Sequence, residues 1–525
     1  MATAQGNGNH RVAAGAGKAF LGRLGALIEV ASLIAFGWAY GAETFGLYAA
    51  LWSYVKVLSA LSDVAMTTAL QRFVPLAEQS GDHQPAERAG AALKLSVGIG
   101  IALALAMTAL AQPLGRLINA GAEDSAALAG IIRLYVWTVP LWTCVESATA
   151  AIRARRTFGP EIKVRIFVEQ GARLVLGLGF AGLGLMTFGL FAAHLVSTAI
   201  AGALALRLVS RAYGLRAVLR APVLAPGNRA MLGYGLAVMP AALTKKLFSE
   251  VPVMALNAML PGADGARAAG FYAIARKVAS ALQAVRLTFD YVMAPLAAER
   301  VSRGDRATLA SMGAFATRIA LGLALLLGAT LIMMRHDLLA LMRPDFMAAA
   351  SAIVILVAGR VLEAATGPAT ALVEMLGHHA LPALNSLAGL VVMGGLGLWL
   401  IPPHGLNGAA VAAAAGLNTT ALLALWQTMA LFRLNPYGRA MIRPLAVAGG
   451  LALLILLAGR GIALLGPPPG SLLVIMPLLL LSAMAIFIRA GLTGPDETAL
   501  GRLGRLARLL GRRKDQPPET ERDAP

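Results

Sequence analysis

Charge is scarce in this chain. Asp, Glu, Lys and Arg make up 14% of its 525 residues, against about 25% in soluble domains. The acids are scarcer still, 26 against 45 Lys and Arg. Cysteine is nearly absent: Cys144 stands alone, which excludes an internal disulfide and a cysteine metal cluster. No Walker-type loop, zinc-spaced histidine set or Ser-His-Asp arrangement occurs. His378 and His379 sit in a short loop with no obvious partner. No loop is long enough to hold a sugar donor, as a membrane glycosyltransferase requires. The expectation is therefore a non-enzyme without cofactor or metal.

What is abundant is apolar surface. Hydrophobic residues make up 58% of the chain, and the mean hydropathy is +0.71. Apolar runs of about 20 residues recur from end to end, each able to cross about 30 Å of hydrocarbon. The chain reads as an all-α polytopic membrane protein, because helices pair their backbone internally in lipid. About fourteen helices are expected, near 20–40, 46–70, 90–112, 126–151, 161–183, 186–208, 229–257, 268–296, 308–333, 347–376, 381–401, 406–431, 443–465 and 470–489.

The formal charge of +19 would suggest nucleic acid in a soluble protein. Here basic loops alternate with loops free of Lys and Arg. "RARRTFGPEIKVR", "ERVSRGDR" and "FRLNPYGRAMIR" fall on one side; "GAETFG", "LIPPHGLNG" and "GPPPG" fall on the other. The positive-inside rule accounts for the charge and places both termini in the cytoplasm, with no nucleic-acid partner. The N-terminal segment lacks a convincing cleavage site and reads as a cytoplasmic tail. In "LGRLGRLARLLGRRK", Leu503, Leu506 and Leu510 share one helical face and Arg505, Arg508 and Arg512 the other. That pattern suits a helix on an anionic leaflet, or an ordinary basic stop. The end, "QPPETERDAP", reads as disordered.

Two segments repeat at long range. "GLYAALW" from Gly46 matches "GFYAIAR" from Gly270, and "PLAEQSGD" from Pro75 matches "PLAAERVSRGD" from Pro295. A weaker pair ends at Pro160 and Pro382; the offsets are 224, 220 and 222 residues. The period spans six helices, so the halves keep one orientation, as in transporters built from parallel repeats. The expected layout is a tail (1–19), an N-lobe (20–210), a cytoplasmic linker (211–228) and a C-lobe (229–432) around a central cavity, then two extra helices (443–489) and a basic tail (490–525).

Charges inside the spans need an explanation, since each costs about 2.5–3.5 kcal/mol at a helix centre. Ser53, Lys56, Ser59, Asp63 and Thr67 step by three or four residues along one face. The repeat partner carries Arg276, Gln283, Arg286 and Asp290; another helix stacks Arg360, Glu363, Thr370 and Glu374; "TKKLFSE" brings Lys245, Lys246 and Glu250; Glu29 stands in the first span. Arg165, Glu169 and Arg173, at i, i+4 spacing, read most simply as structural ion pairs. A surplus of cations facing an inner cavity implies an anionic substrate, phosphate or pyrophosphate above all. Lys56, Lys245, Arg276, Arg286 and Arg360 are the candidate substrate-binding residues, and Glu29, Asp63, Glu250, Asp290 and Glu363 the candidates for tuning those cations or coupling to H⁺ or Na⁺. Salt bridges that only join helices are the competing reading.

Several stretches resemble the polysaccharide flippases of the MOP superfamily, the Wzx or polysaccharide-transport branch. "ETFGLYAALWSYVKVLSALSDVAMTTALQRFVP" is similar to that branch's opening helix pair, and "AGFYAIARKVASAL" to the start of its second lobe. "LMRPDFMAAASAIVILVAG" and "IPPHGLNGAAVAAAAG" resemble two later turns. The sequence departs from the family at Val64-Ala65, where a Gly-rich step is usual. The resemblance implies translocation of undecaprenyl-pyrophosphate-linked oligosaccharide across a bacterial inner membrane, for O-antigen, capsule or exopolysaccharide. It also implies a lipid-linked anionic glycan as substrate, and a polysaccharide polymerase or co-polymerase as partner. By position it assigns the pyrophosphate to Lys56, Lys245, Arg276 and Arg286. Competing functions are a lipid II flippase, a MATE-type exporter, which would favour an acidic cavity, and a non-transporting subunit of a polysaccharide synthase.

Overall fold

A computed structural model describes residues 2–79, 84–157, 159–302, 306–375 and 380–491; for 2–27, 84, 287–302, 306–308 and 375 it describes the backbone alone. The basic segment around Leu506, the polar end, His378, His379 and the side chain of Asp290 lie outside the described residues.

All regular structure among the described residues is helical. The main helices are α1 (Ala2–Asp63), α2 (Met66–Gln79), α3 (Gln84–Ala109), α4 (Leu128–Tyr135), α5 (Thr138–Ala154), α6 (Glu169–Gly182), α7 (Met186–Tyr213), α8 (Leu215–Arg220), α9 (Pro226–Met259), α10 (Gly262–Ser302), α11 (Arg306–Ala340), α12 (Ala350–Ala365), α13 (Ala369–Met375), α14 (Ala380–Ala430), α15 (Ile442–Leu464) and α16 (Leu472–Ile486). A π-helix, Lys163–Val168, runs directly into α6. Nine segments of the described residues are apolar and long enough to cross a membrane. Two of them, Ile28–Gln79 and Ala380–Ala430, are 52 and 51 residues long, where about 20 suffice. Each holds one left-handed glycine, Gly41 (φ 77°) and Gly405 (φ 50°), at the boundary between two expected spans. Only glycine adopts such a φ without strain, so these residues turn the chain between apolar stretches. The nine exclude α9 and α10, which are 34 and 41 residues long but carry Lys245, Lys246, Glu250, Arg276 and Arg286.

The chain forms two compact units. The first comprises Met1–Ala275, Leu341–Ala352 and Leu390–Ala413; the second comprises Arg276–Ala340, Ile353–Gly389 and Ala414–Pro525. In the first, Met66, Leu70 and Val74 of α2 pack on Ala89 and Ala92 of α3, Ala150 and Ala154 of α5, and Met231 of α9. Small residues let helices approach closely where lipid offers no hydrophobic drive. Gly46 and Gly270, which open the matched segments, meet across α1 and α10: a Cβ on Gly270 would stand 2.9 Å from the Gly46 Cα. Residues 211–228, expected as a plain linker, contain α8; Lys94 donates to the carbonyls of Leu219 (2.8 Å) and Ala221 (2.5 Å) at its end. A cation there satisfies orphan carbonyls and the negative helix end.

In the second unit, Leu326 and Ala329 of α11 are buried with Ile455 of α15 and Met476 and Ala483 of α16. The two helices beyond the repeat thus pack on α11. Asn385 and Gln427 exchange amide hydrogen bonds of 2.8 and 2.7 Å within this unit, leaving neither amide to face lipid unpaired.

Candidate functional site

The polar stripe on α1 ends in a break. Asp63 is buried, and its carboxylate accepts from the Thr67 backbone N–H (3.3 Å), Thr67 Oγ1 (2.8 Å) and Ser147 Oγ (3.2 Å). It caps α2, answering N–H groups that have no intrahelical partner. Val64 (φ 48°) and Ala65 (φ 53°) both lie in the left-handed region. A β-branched residue there is an outlier, and the usual glycine step of the resembled family would carry no such strain. Here the strain falls on the residues between Asp63 and the helix it caps.

Seven residues earlier, Lys56 forms an ion pair with Glu250 of α9. Ser53 Oγ donates to the same carboxylate oxygen at 2.9 Å, and the ammonium lies 5.7 Å from the Trp52 ring centroid. The lysine side chain is 14% exposed and the glutamate 4%. The fold therefore joins a candidate substrate cation to a candidate tuning carboxylate.

The second unit is arranged otherwise. Glu363 of α12 receives Arg360 Nη1 at 2.8 Å and lies 3.3 Å from Arg286 Nη2 of α10. Two guanidinium groups thus share one buried carboxylate. Thr370 and Glu374, expected to continue this stack, sit on the separate helix α13. Gly367 (φ 60°) and Pro368 interrupt the run, since proline cannot donate the helical hydrogen bond. Arg276 is half-buried in α10, and Lys245 is exposed on α9. Glu29 is half-buried and lies within electrostatic range of Glu169 and Arg173.

A third cluster, in the first unit, is one that periodicity does not mark as a site. His194 of α7 is fully buried. Its Nδ1 lies 2.7 Å from Tyr135 Oη and 3.1 Å from Tyr48 Oη. Its Nε2 lies 3.3 Å from Arg173 Nη1 and 3.6 Å from Glu169 Oε1. Arg173 also donates to Tyr48 Oη at 3.2 Å. Farther along the same ladder, Arg165 spans Glu161 (3.3 Å) and Glu146 (3.4 Å). The one available signal is His194 itself, a lone ionisable group in the run "GLFAAHLVSTAI".

The first unit also holds an open apolar pocket of about 250 Å³, lined among others by Pro252, Met259, Met393 and Leu398. It holds no charged side chain. No group of acids, histidines and cysteines among the described residues could hold a metal ion.

A family model described as polysaccharide biosynthesis protein matches residues 22–299, more than half of the chain. The chain belongs to that family. No curated protein matches this family member by sequence. Among solved structures it is similar to the lipid II flippase MurJ in an inward closed conformation: 10% identity, TM-score 0.68, 90% of this chain and 97% of that one. It is also similar to an inward-facing multidrug resistance MATE transporter of the MOP superfamily, with 16% identity, TM-score 0.62, and 78% and 95% coverage. A Vibrio cholerae MATE transporter follows at 16% identity and TM-score 0.54, with 79% and 97% coverage. At these identities the likeness establishes the fold. This family member is a multi-pass membrane protein with the fold of MOP-superfamily transporters.

Proposed function

We propose that the protein is a flippase that moves undecaprenyl-pyrophosphate-linked oligosaccharide units across the bacterial inner membrane, for O-antigen, capsule or exopolysaccharide. It performs no catalysis, keeps both termini in the cytoplasm and crosses the membrane fourteen times. The observation that carries the substrate class is the pair of guanidinium groups on Glu363. Arg360 Nη1 and Arg286 Nη2 approach the buried Glu363 carboxylate at 2.8 and 3.3 Å, which brings two guanidinium groups to one place. Guanidinium forks match phosphate oxygens, and a desolvated fork binds them far more strongly than one in water. Lys245 and Arg276 add cationic side chains on α9 and α10. The family match supports a glycan cargo, while the apolar cavity beside Pro252 and Met393 has the chemistry of an isoprenoid chain. H⁺ or Na⁺ would drive the cycle, and a polymerase or co-polymerase would receive the product.

Lipid II is the second cargo, favoured by the likeness to MurJ. Both cargoes present a prenyl pyrophosphate, so the arginine pair does not separate them. The test is complementation. Wild type should restore surface glycan in a strain lacking its polysaccharide flippase, and Arg286→Ala and Arg360→Ala at matched membrane levels should not. Rescue of a lipid II flippase depletion strain, without rescue of surface glycan, would transfer the assignment to lipid II.

A further inference from the structure

The cluster around His194 places two acceptors face to face. Arginine has only donors to offer. The approach of Arg173 Nη1 to His194 Nε2 at 3.3 Å therefore leaves a lone pair, not a hydrogen, on Nε2. By the same network the ring hydrogen lies on Nδ1, directed at Tyr135 Oη 2.7 Å away. Glu169 is 2% exposed, and its Oε1 has no hydrogen-bond donor among the described residues. Arg173 Nη1 stands off at 3.5 Å, and the bare Nε2 of His194 at 3.6 Å. An unsatisfied carboxylate oxygen opposite an imidazole lone pair is costly where little water screens it. One hydrogen between them converts that cost into a charge-assisted bond.

We propose that His194 Nε2 and Glu169 Oε1 form a binding site for a single proton. The N–H bond forms at the Nε2 lone pair, and the hydrogen is shared with Glu169 Oε1. Arg173 Nη1 then loses its acceptor on the imidazole and keeps Tyr48 Oη. Every element packed on the ring contributes to the balance. From α1 come Tyr48, Trp52, Lys56 paired with Glu250, and Glu29; from α4, Tyr135; from α6, Glu169 and Arg173. Arg165 acts from farther away, held between Glu146 of α5 and Glu161. The π-helix Lys163–Val168 ends at the residue before Glu169. Such segments recur at functional sites and offer a backbone that can shift register. A proton here would therefore act on the joint between that segment and α6. The consequence for transport rests on the flippase reading; the binding site does not.

The test is acid-minus-alkaline infrared difference spectroscopy on the full-length protein in liposomes, with the proton as the only ligand. Wild type is expected to show carboxyl and imidazole bands that titrate with one midpoint. Glu169→Gln removes the carboxyl component. Tyr135→Phe keeps the ring but withdraws the hydroxyl that stabilises the protonated imidazole, so proton affinity falls about tenfold, one pH unit. Wild-type spectra without a titrating carboxyl band that Glu169→Gln abolishes would overturn the proposal. An unmoved midpoint in Tyr135→Phe would do the same, and covers the case in which Glu169→Gln does not fold. No substrate enters the measurement, so its result stands whether or not complementation succeeds.

Discussion

The two units treat their intramembrane cations differently. In the first, Lys56 meets Glu250, one cation to one carboxylate, with Ser53 donating to the same oxygen. In the second, Arg286 and Arg360 converge on Glu363, two cations to one carboxylate. The matched pair joins α1 to α9. The guanidinium groups of the mismatched set are forks whose geometry matches phosphate oxygens. The cations differ in kind as well, an ammonium in one case and two guanidinium groups in the other.

Breaking the matched pair should have the largest effect on stability. Glu250→Ala removes the carboxylate that faces the Lys56 ammonium and is expected to cost about 3–5 kcal/mol, read by thermal unfolding in detergent. The double variant Lys56→Met, Glu250→Leu should recover most of that loss and still restore surface glycan. A double variant that folds but does not restore glycan would place Lys56 in the binding path. Breaking the mismatched set should act on function first. Arg286→Ala or Arg360→Ala removes a charge-assisted contact of about 1.5–3 kcal/mol, so glycan export should fall tenfold or more at unchanged membrane levels. Export that persists in both would reduce that set to a helix link.

Smaller effects sharpen the contrast at the α1–α2 break. Val64→Gly removes left-handed strain and should raise stability by about 1 kcal/mol, seen as a higher unfolding temperature. Asp63→Ala deletes the cap of α2 and should lower it by about 1 kcal/mol. An Asp63→Ala variant that unfolds like wild type but loses export would move Asp63 from structure to coupling.

Much of the fold is legible in the chain alone. Apolar runs and the alternation of basic loops are local properties, and so is the entry of Gly46 and Gly270 into matched segments. The resemblance to polysaccharide flippases agrees with the family match over residues 22–299. Other features are not legible. The stripe from Ser53 to Thr67 reads as one continuous face, but Val64 and Ala65 break it. The stack from Arg360 to Glu374 is likewise cut at Gly367 and Pro368. Periodicity counts residues and does not register a single reversed φ. The helical ladder at Glu169 and Arg173 is visible in the spacing, but not the histidine that completes it from another helix.

By itself, then, the sequence determined the solvent and the helical class, because hydropathy and spacing act within about one span of chain. Only the tertiary structure decided which charges meet. Lys56 and Glu250 are 194 residues apart, and no local pattern couples them. Pair energies depend on distances of a few ångströms and on the removal of water, and both are set only when the helices pack.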